Sequence, residues 1–451
     1  MPKFIVIGGD AAGMSAASRA KRKQPGLDVE VFEKSSFVSY AGCGIPYFVS
    51  GVVHELEDLL AVRIEDFEKK RGIKVNLRHE VTRIVPDKKI VVVKNHETGR
   101  ELTAPYDHLI ISTGASPRTP PGIDDGLPGV FSVRGLAEAA ELKKYLAINS
   151  PKRGLILGAG YIGLEMAEAL AAVGMEITMV QLPDRAINSM EPEISDAVAK
   201  SLNEHGVKLI TAATAEKIER DNKGKLTLSL SNNEKFTADL MVIGIGVTPN
   251  SGLAADAGLE LGARNSIKVD RRQRTSAPDV YSAGDCAEHY HRLLGRNAYI
   301  PLALTANRAG RVAGDNVAGV PSEFPGMLGS AVSKVFDLAI ARTGLSMKEC
   351  AELGLDVRKA VVETASRAHY YPGGSRITNV LIVENKTNKL WGVQMAGKDG
   401  VAGRINTWAT AIAAGMTLNQ IYDLDLAYAP PFATAWEPIL IASEVAAKVK
   451  K

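Results

Sequence analysis

The sequence predicts an α/β protein in which two Rossmann-like dinucleotide-binding domains precede a C-terminal α+β domain. Three observations predict it. A short apolar strand, a glycine turn and an alanine-rich helix occur near the N-terminus and again after Lys152. Each copy then turns and enters a second apolar strand. Beyond residue 325 the texture becomes alternating β, closed by two helices.

In the first copy, Phe4-Ile5-Val6-Ile7 is the strand, Gly8-Gly9-Asp10-Ala11-Ala12-Gly13 the turn and 14–23 the helix. Pro25-Gly26 breaks that helix, and 29–33 is the second strand. The second copy repeats the scheme: a strand from Leu155, the turn Gly158-Ala159-Gly160-Tyr161-Ile162-Gly163, a helix over 164–173, a break at Gly174 and a strand over 176–181. Between the copies lie the strands 89–93 and 108–114, followed by a proline-rich crossing, 117–128, that reads as a linker. Segments 240–246 and 278–285 each bring a strand to a glycine turn, where the chain returns to its first domain. The strands 380–384 and 390–396, joined through 385–389, form a hairpin, and helices follow over 401–414 and 438–448.

With 451 residues and 45% hydrophobic content, the chain can bury several cores. A net charge of +3 provides no field for capturing nucleic acid, and no segment reads as a membrane span or a secretory signal. The cysteines Cys43, Cys286 and Cys350 are too scattered for a disulfide framework or a metal-ligand pair, and fit a reducing cytoplasm.

A glycine turn between strand and helix lets backbone amides and the positive helix end hold a pyrophosphate. Asp10 stands where the middle glycine belongs, a departure from the pattern. Glu33 ends the second strand, where a carboxylate accepts ribose hydroxyls. The second copy has Gln181 at the matching place, which leaves NADH against NADPH open with NADH slightly favoured; Arg185 nearby could meet a 2′-phosphate or be a solvated loop arginine.

Cys43 lies among small residues in Ser39-Tyr40-Ala41-Gly42-Cys43-Gly44, just after the first nucleotide unit. Small neighbours permit close approach of a flat ring, and a following helix end favours a thiolate. Position 48 is Phe48, so the C-x4-C pair of a dithiol enzyme is missing. One sulfur must then cycle through a mixed disulfide or a sulfenic acid. Cys286 is expected to pack and Cys350 to ride on a surface-type helix.

On these residues the whole chain resembles the pyridine nucleotide disulfide oxidoreductase family, in its single-cysteine branch of coenzyme A disulfide reductases, NADH oxidases and persulfide reductases. The resemblance implies FAD-binding segments over 1–115 and 246–325, an NAD(P)H-binding domain over 116–245 and a dimerisation domain over 326–451. It implies FAD contacts from Gly8, Gly9, Ala11, Gly13, Glu33, Lys34, Val81, Thr113, Gly114, Asp285 and Ala303. Gly158, Gly160, Ile162, Gly163, Glu165 and Gln181 would hold the nicotinamide nucleotide, and Cys43 would be the redox nucleophile.

Family oxidases and peroxidases carry a histidine in the first turn where this chain has Ala11, which disfavours peroxide. The C-terminal His-Glu pair of the glutathione and lipoamide branch is missing, since the last histidine is His369. Coenzyme A disulfide reductases instead carry Tyr-Tyr-Pro and Tyr-x-Pro-Pro segments, present here as Tyr370-Tyr371-Pro372 and Tyr428-Ala429-Pro430-Pro431. Tyr428, with Tyr370 rather than Tyr371, is thereby implied to serve the partner subunit's active cysteine; pure dimer packing is the other reading. By the same resemblance Ser15, Arg19, Arg22, Ser39, Gly42, Lys70, Arg71 and Asn307 would contact coenzyme A, although a solvated basic face explains the helix arginines nearly as well.

The expected activity is FAD-dependent reduction by NAD(P)H of coenzyme A disulfide, coenzyme A persulfide or polysulfide in a homodimer. Two alternatives stand beside it: an NADH oxidase reducing oxygen, and a flavoprotein that binds a partner or electron carrier while Cys43 is structural.

Overall fold

The computed structural model describes residues 1–449 and divides into two compact units. The first comprises Met1–Arg118, Val133–Lys144 and Val247–Met327; the second comprises Thr119–Ser132, Tyr145–Gly246 and the chain from Leu328 onward.

The first unit is built on a five-stranded parallel sheet in the order Val280–Ser282, His108–Ile111, Lys3–Ile7, Asp28–Glu33, Ile73–Leu77. Successive side chains of a strand face opposite ways, so both faces of such a sheet must be covered. Phe4 and Val6 pack with Ala16, Ala17, Ala309 and Ala313 of the helices Ala11–Lys23 and Ala303–Val317. Ile5 and Ile7 pack the other way, against Val81, Ile84, Val91 and Val93 of an antiparallel sheet formed by His79–Val85, Ile90–Asn95 and Glu101–Pro105. The two helices meet closely: a Cβ added at Gly310 would lie 2.2 Å from the Ala12 carbonyl oxygen.

The second unit contains another parallel sheet, ordered Lys208–Ile210, Glu176–Val180, Arg153–Leu157, Leu240–Ile243, Val130–Phe131. It also contains a five-stranded antiparallel sheet in the order Ala331–Val335, Leu338–Gly344, Leu390–Gly397, Arg376–Glu384, Val357–Ala365. The hairpin expected around 385–389 is present there, and the helices Val401–Ala414 and Pro438–Lys448 follow.

Two expectations are corrected. The helices after the glycine turns begin at Ala11 and Tyr161, three residues ahead of Met14 and Leu164, because the turn itself supplies the first helical residues. Cys350 does lie on a helix, Met347–Glu352, but its side chain is fully buried rather than at the surface, and burial pushes its thiol up to about 12. Among the described residues no helix is long and apolar enough to cross a membrane, and no group of acidic, histidine and cysteine side chains is arranged to hold a metal.

Candidate functional site

The sequence near-repeat is a structural repeat down to individual hydrogen bonds. Gly8 has φ +97° and Gly158 φ +99°, a region that only glycine adopts without strain. Added Cβ atoms at Gly13 and Gly163 would lie 2.0 Å from the Gly8 and Gly158 carbonyl oxygens respectively, which is why the helix can start so tightly against the strand. Glu33 accepts the Gly9 amide at 2.7 Å, and Gln181 accepts the Ala159 amide at 2.8 Å.

The inward faces of both turns are therefore filled by protein, while the second turn is open on its outer side. A Cβ at Gly160 would meet nothing within 4 Å, and the same holds at Gly114, whose φ is +68°. Thr113 and Gly114 are clamped by Asn250, which donates to the Thr113 carbonyl at 2.9 Å and accepts from the Thr113 hydroxyl through its own carbonyl at 2.6 Å. Glycine turns with helix N-termini behind them fit the pyrophosphates of two dinucleotides.

A polar cluster surrounds the first turn, in which Asp285 was expected from the sequence and Arg134 and Tyr299 were not. Arg134 donates to Asp285 at 2.7 Å and to the Ala115 carbonyl at 3.0 Å. Tyr299 donates to the Asp285 carbonyl at 3.0 Å. Burial, with Asp285 close by, holds the Tyr299 phenol well above its ordinary value. Asp10, the residue in the middle-glycine place, has an enclosed Oδ1 without a hydrogen-bond partner. Burial pushes its carboxyl up to about 6; the Ala11 amide opposes the rise and Glu33 adds to it. Tyr40 is raised by burial and by Asp10. No periodicity could have announced Arg134, since its partners come from distant parts of the chain.

The Cys43 segment is tied to this turn. The Ser39 amide donates to the Gly9 carbonyl at 2.8 Å, and Val38 lies under Gly9. Ser39 takes φ 50°, and its carbonyl and the Ala41 amide bond to Ala61 and Leu59, each at 2.7 Å. Cys43 follows in the short turn Gly42–Gly44, exposed, directly ahead of the helix Ile45–Ser50. An added Cβ at Gly44 would strike Leu59 at 2.3 Å, whereas at Gly42 it would meet only Tyr40, at 3.8 Å. Phe48 is buried, with the Lys143 ammonium bonded to its carbonyl and 4.6 Å over its ring.

The remaining expected residues divide clearly. Gln181 is buried, and its amide is occupied at both ends, by Ala159 and by the Arg185 carbonyl at 3.2 Å. Glu33 is likewise engaged, by Gly9 and by the Ser35 amide at 2.8 Å, with carboxylate lone pairs left over. Val81 has its side chain in the core, on a strand where it pairs with Val93. Lys34 and Ala303 are exposed, and Ile162 is half-buried behind the second turn. Burial raises the Glu165 carboxyl, which accepts from Ser333 at 3.1 Å.

Arg19 does not stand open for a phosphate: it forms a two-pronged pair with Asp315 at 2.7 and 3.0 Å, bracing the two helices of the first unit. Lys70 pairs with Asp66, and Arg71 donates to Ser18 at 2.9 Å. Arg22 is exposed in the last turn of its helix, while Ser15 and Asn307 are half-buried. In the second unit the Tyr370 and Tyr428 hydroxyls lie 3.4 Å apart, and that contact raises Tyr428. Tyr371 is also exposed and lies beneath Arg367.

Residues 2–310 match the family described as "Pyridine nucleotide-disulphide oxidoreductase", and residues 330–438 match its dimerisation domain. The "NAD(P)H coenzyme A polysulfide/persulfide reductase" of Pyrococcus horikoshii is 40% identical over 444 residues, 98% of each chain. The "NADH oxidase" of Methanocaldococcus jannaschii is 32% identical over 99% of each chain. The "Coenzyme A disulfide reductase" of Staphylococcus aureus is 29% identical over 96% of this chain and 97% of that one. Among solved structures, an "NAD-Dependent Persulfide Reductase from A. fulgidus" superposes with a TM-score of 0.95 at 37% identity, over 99% of this chain and 83% of that chain.

Proposed function

Because the chain belongs to the pyridine nucleotide-disulphide oxidoreductase family, we propose that it uses NAD(P)H, with FAD, to reduce coenzyme A disulfide, coenzyme A persulfide or polysulfide at the single sulfur of Cys43. The observation that carries this reading is the exposed Cys43 in a segment that Ser39 ties to Gly9 of the first glycine turn, with buried Phe48 where a second thiol would stand. The relatives named for coenzyme A persulfide, polysulfide and disulfide reduction support it.

When bound, FAD supplies the relay of an electron pair from the nicotinamide to the sulfur side. The first turn, with Glu33, Thr113, Gly114 and Asp285, would hold it, and the second turn, braced by Gln181 at the Ala159 amide, would with Glu165 hold the nucleotide. Cys43 as thiolate attacks one sulfur of the substrate; the substrate S–S bond breaks, one thiolate departs and a mixed disulfide remains on Cys43. Two electrons and a proton then release the second thiol and restore Cys43. Tyr428 and Tyr370 protonate or orient the departing thiol across a homodimer interface, in keeping with the dimerisation-domain match. A reducing, cytoplasmic setting suits a mechanism that depends on a reduced sulfur.

Cys43→Ser is expected to leave FAD bound while turnover of coenzyme A disulfide falls about a thousandfold or more. Undiminished turnover refutes the reading. Anaerobic titration is expected to show a long-wavelength thiolate-to-flavin band that this substitution removes. Oxygen reduction is the second reading, favoured by the relatives named NADH oxidase; oxygen consumption far above disulfide turnover would support it.

A further inference from the structure

The two glycine turns agree in backbone, in strand-end hydrogen bond and in helix packing, and they differ at one chemically significant place. In the second turn that place is Gly160, whose outer side is open. In the first it is Asp10, a carboxyl set where a pyrophosphate would come closest to the chain.

Helix capping does not account for this aspartate, whose carboxyl is faced by the Ala11 and Tyr40 amides. Its backbone, at φ −106° and ψ −155°, is extended and open to any residue, and its side chain makes no capping bond to the helix it precedes. Nor is it engaged in an ion pair. The groups facing it are Glu33 from the strand Asp28–Glu33, Tyr40 from the Cys43 segment and Arg134 from 133–144. Arg134 is already bonded to Asp285, and Glu33 holds two backbone amides. The pocket thus carries three carboxyl groups against one guanidinium, and Oδ1 of Asp10 remains enclosed and unpartnered.

We propose that Asp10 takes up a proton from solvent when FAD binds, so that it meets the pyrophosphate as a neutral hydrogen-bond donor rather than as a like charge. A carboxylate against phosphate oxygens in an enclosed site is repelled, and the positive helix end favours the phosphate over the carboxylate. A protonated carboxyl instead offers an O–H to a phosphate oxygen. Burial without ligand already brings the group up to about 6, so only a further rise is needed at neutral pH. The inference rests on the first turn being the flavin site.

The test is calorimetric titration of the deflavinated full-length chain with FAD, in buffers of different ionisation heat. At pH 8 the wild type is expected to take up about one proton per FAD, and at pH 5 close to none. Above about pH 6 its FAD affinity is expected to fall roughly tenfold per pH unit until the bound group itself titrates. Asp10→Asn is expected to bind FAD with no proton uptake and a flat pH profile. No uptake by the wild type at pH 8, or an unchanged profile in Asp10→Asn, overturns the proposal. Asp10→Glu separates the two ways of failing. If this longer acid leaves FAD affinity unmoved, the flavin lies elsewhere and the site assignment falls. If it weakens FAD at least tenfold while the wild type takes up no proton, the assignment stands and the proton proposal alone is lost.

Discussion

Asp10 also has a consequence for the chain without its flavin. A carboxyl raised from 3.8 to about 6 on folding binds more protons in the native state than in the unfolded one between those values. Its favourable contribution is therefore complete below about pH 4 and is lost as pH rises through 6. Asp10→Asn should accordingly gain stability over the wild-type apoprotein across that window, by up to about 3 kcal/mol. Urea midpoints at pH 4 and pH 7 measure the difference, and an equal gain at both values speaks against it. His289 works with the opposite sign: fully buried and lowered by burial to about 4, it costs stability as pH falls below its ordinary value. At this scale the sequence exposed Asp10 only as a departure from a glycine pattern. What surrounds it was not legible, because Arg134 reaches it from a distant segment, itself bonded to Asp285, and leaves no local spacing behind.

Among elements, the helices Ala11–Lys23 and Ala303–Val317 decide how firmly the first turn is held. Their backbones approach so closely at Gly310 that any side chain must push them apart. Gly310→Ala is expected to cost about 1–3 kcal/mol, read as a lowered melting temperature. Gly26→Ala, at a place where an added Cβ meets nothing within 4 Å, should stay within about 0.5 kcal/mol. The strand-turn-helix elements were legible because glycine turns and alanine-rich faces are local signals; the starts at Ala11 and Tyr161 were not, since turn residues carry no apolar period. Arg19 shows the limit of spacing arguments: its position on the helix pointed to phosphate, while Asp315 on another helix holds it.

For the whole molecule, exposed aromatic side chains stand on two connecting segments of the C-terminal region, Tyr370 between the strands Val357–Ala365 and Arg376–Glu384, and Tyr428, Phe432 and Trp436 ahead of the helix Pro438–Lys448, with Trp436 stacked 5.5 Å from Tyr422. Exposed apolar side chains in such number mark a surface meant to be covered. Sedimentation should find the wild type dimeric and Phe432→Asp with Trp436→Ala shifted toward monomer; an unmoved dimer would place the interface elsewhere. The fold class was legible across the chain because its repeat is encoded twice, whereas the depth of Cys350 was not, since a six-residue helix shows too little of its pattern to reveal which side is covered. One consequence remains in Phe48. With an aromatic ring fixed where a resolving thiol would sit, and with Cys286 and Cys350 enclosed, no second cysteine among the described residues is placed to rescue Cys43 from peroxide. Overoxidation to the sulfinic acid would then be terminal, and the shield has to be the small thiol itself: peroxide should inactivate the resting enzyme irreversibly, and added coenzyme A should protect it by capping the sulfur first.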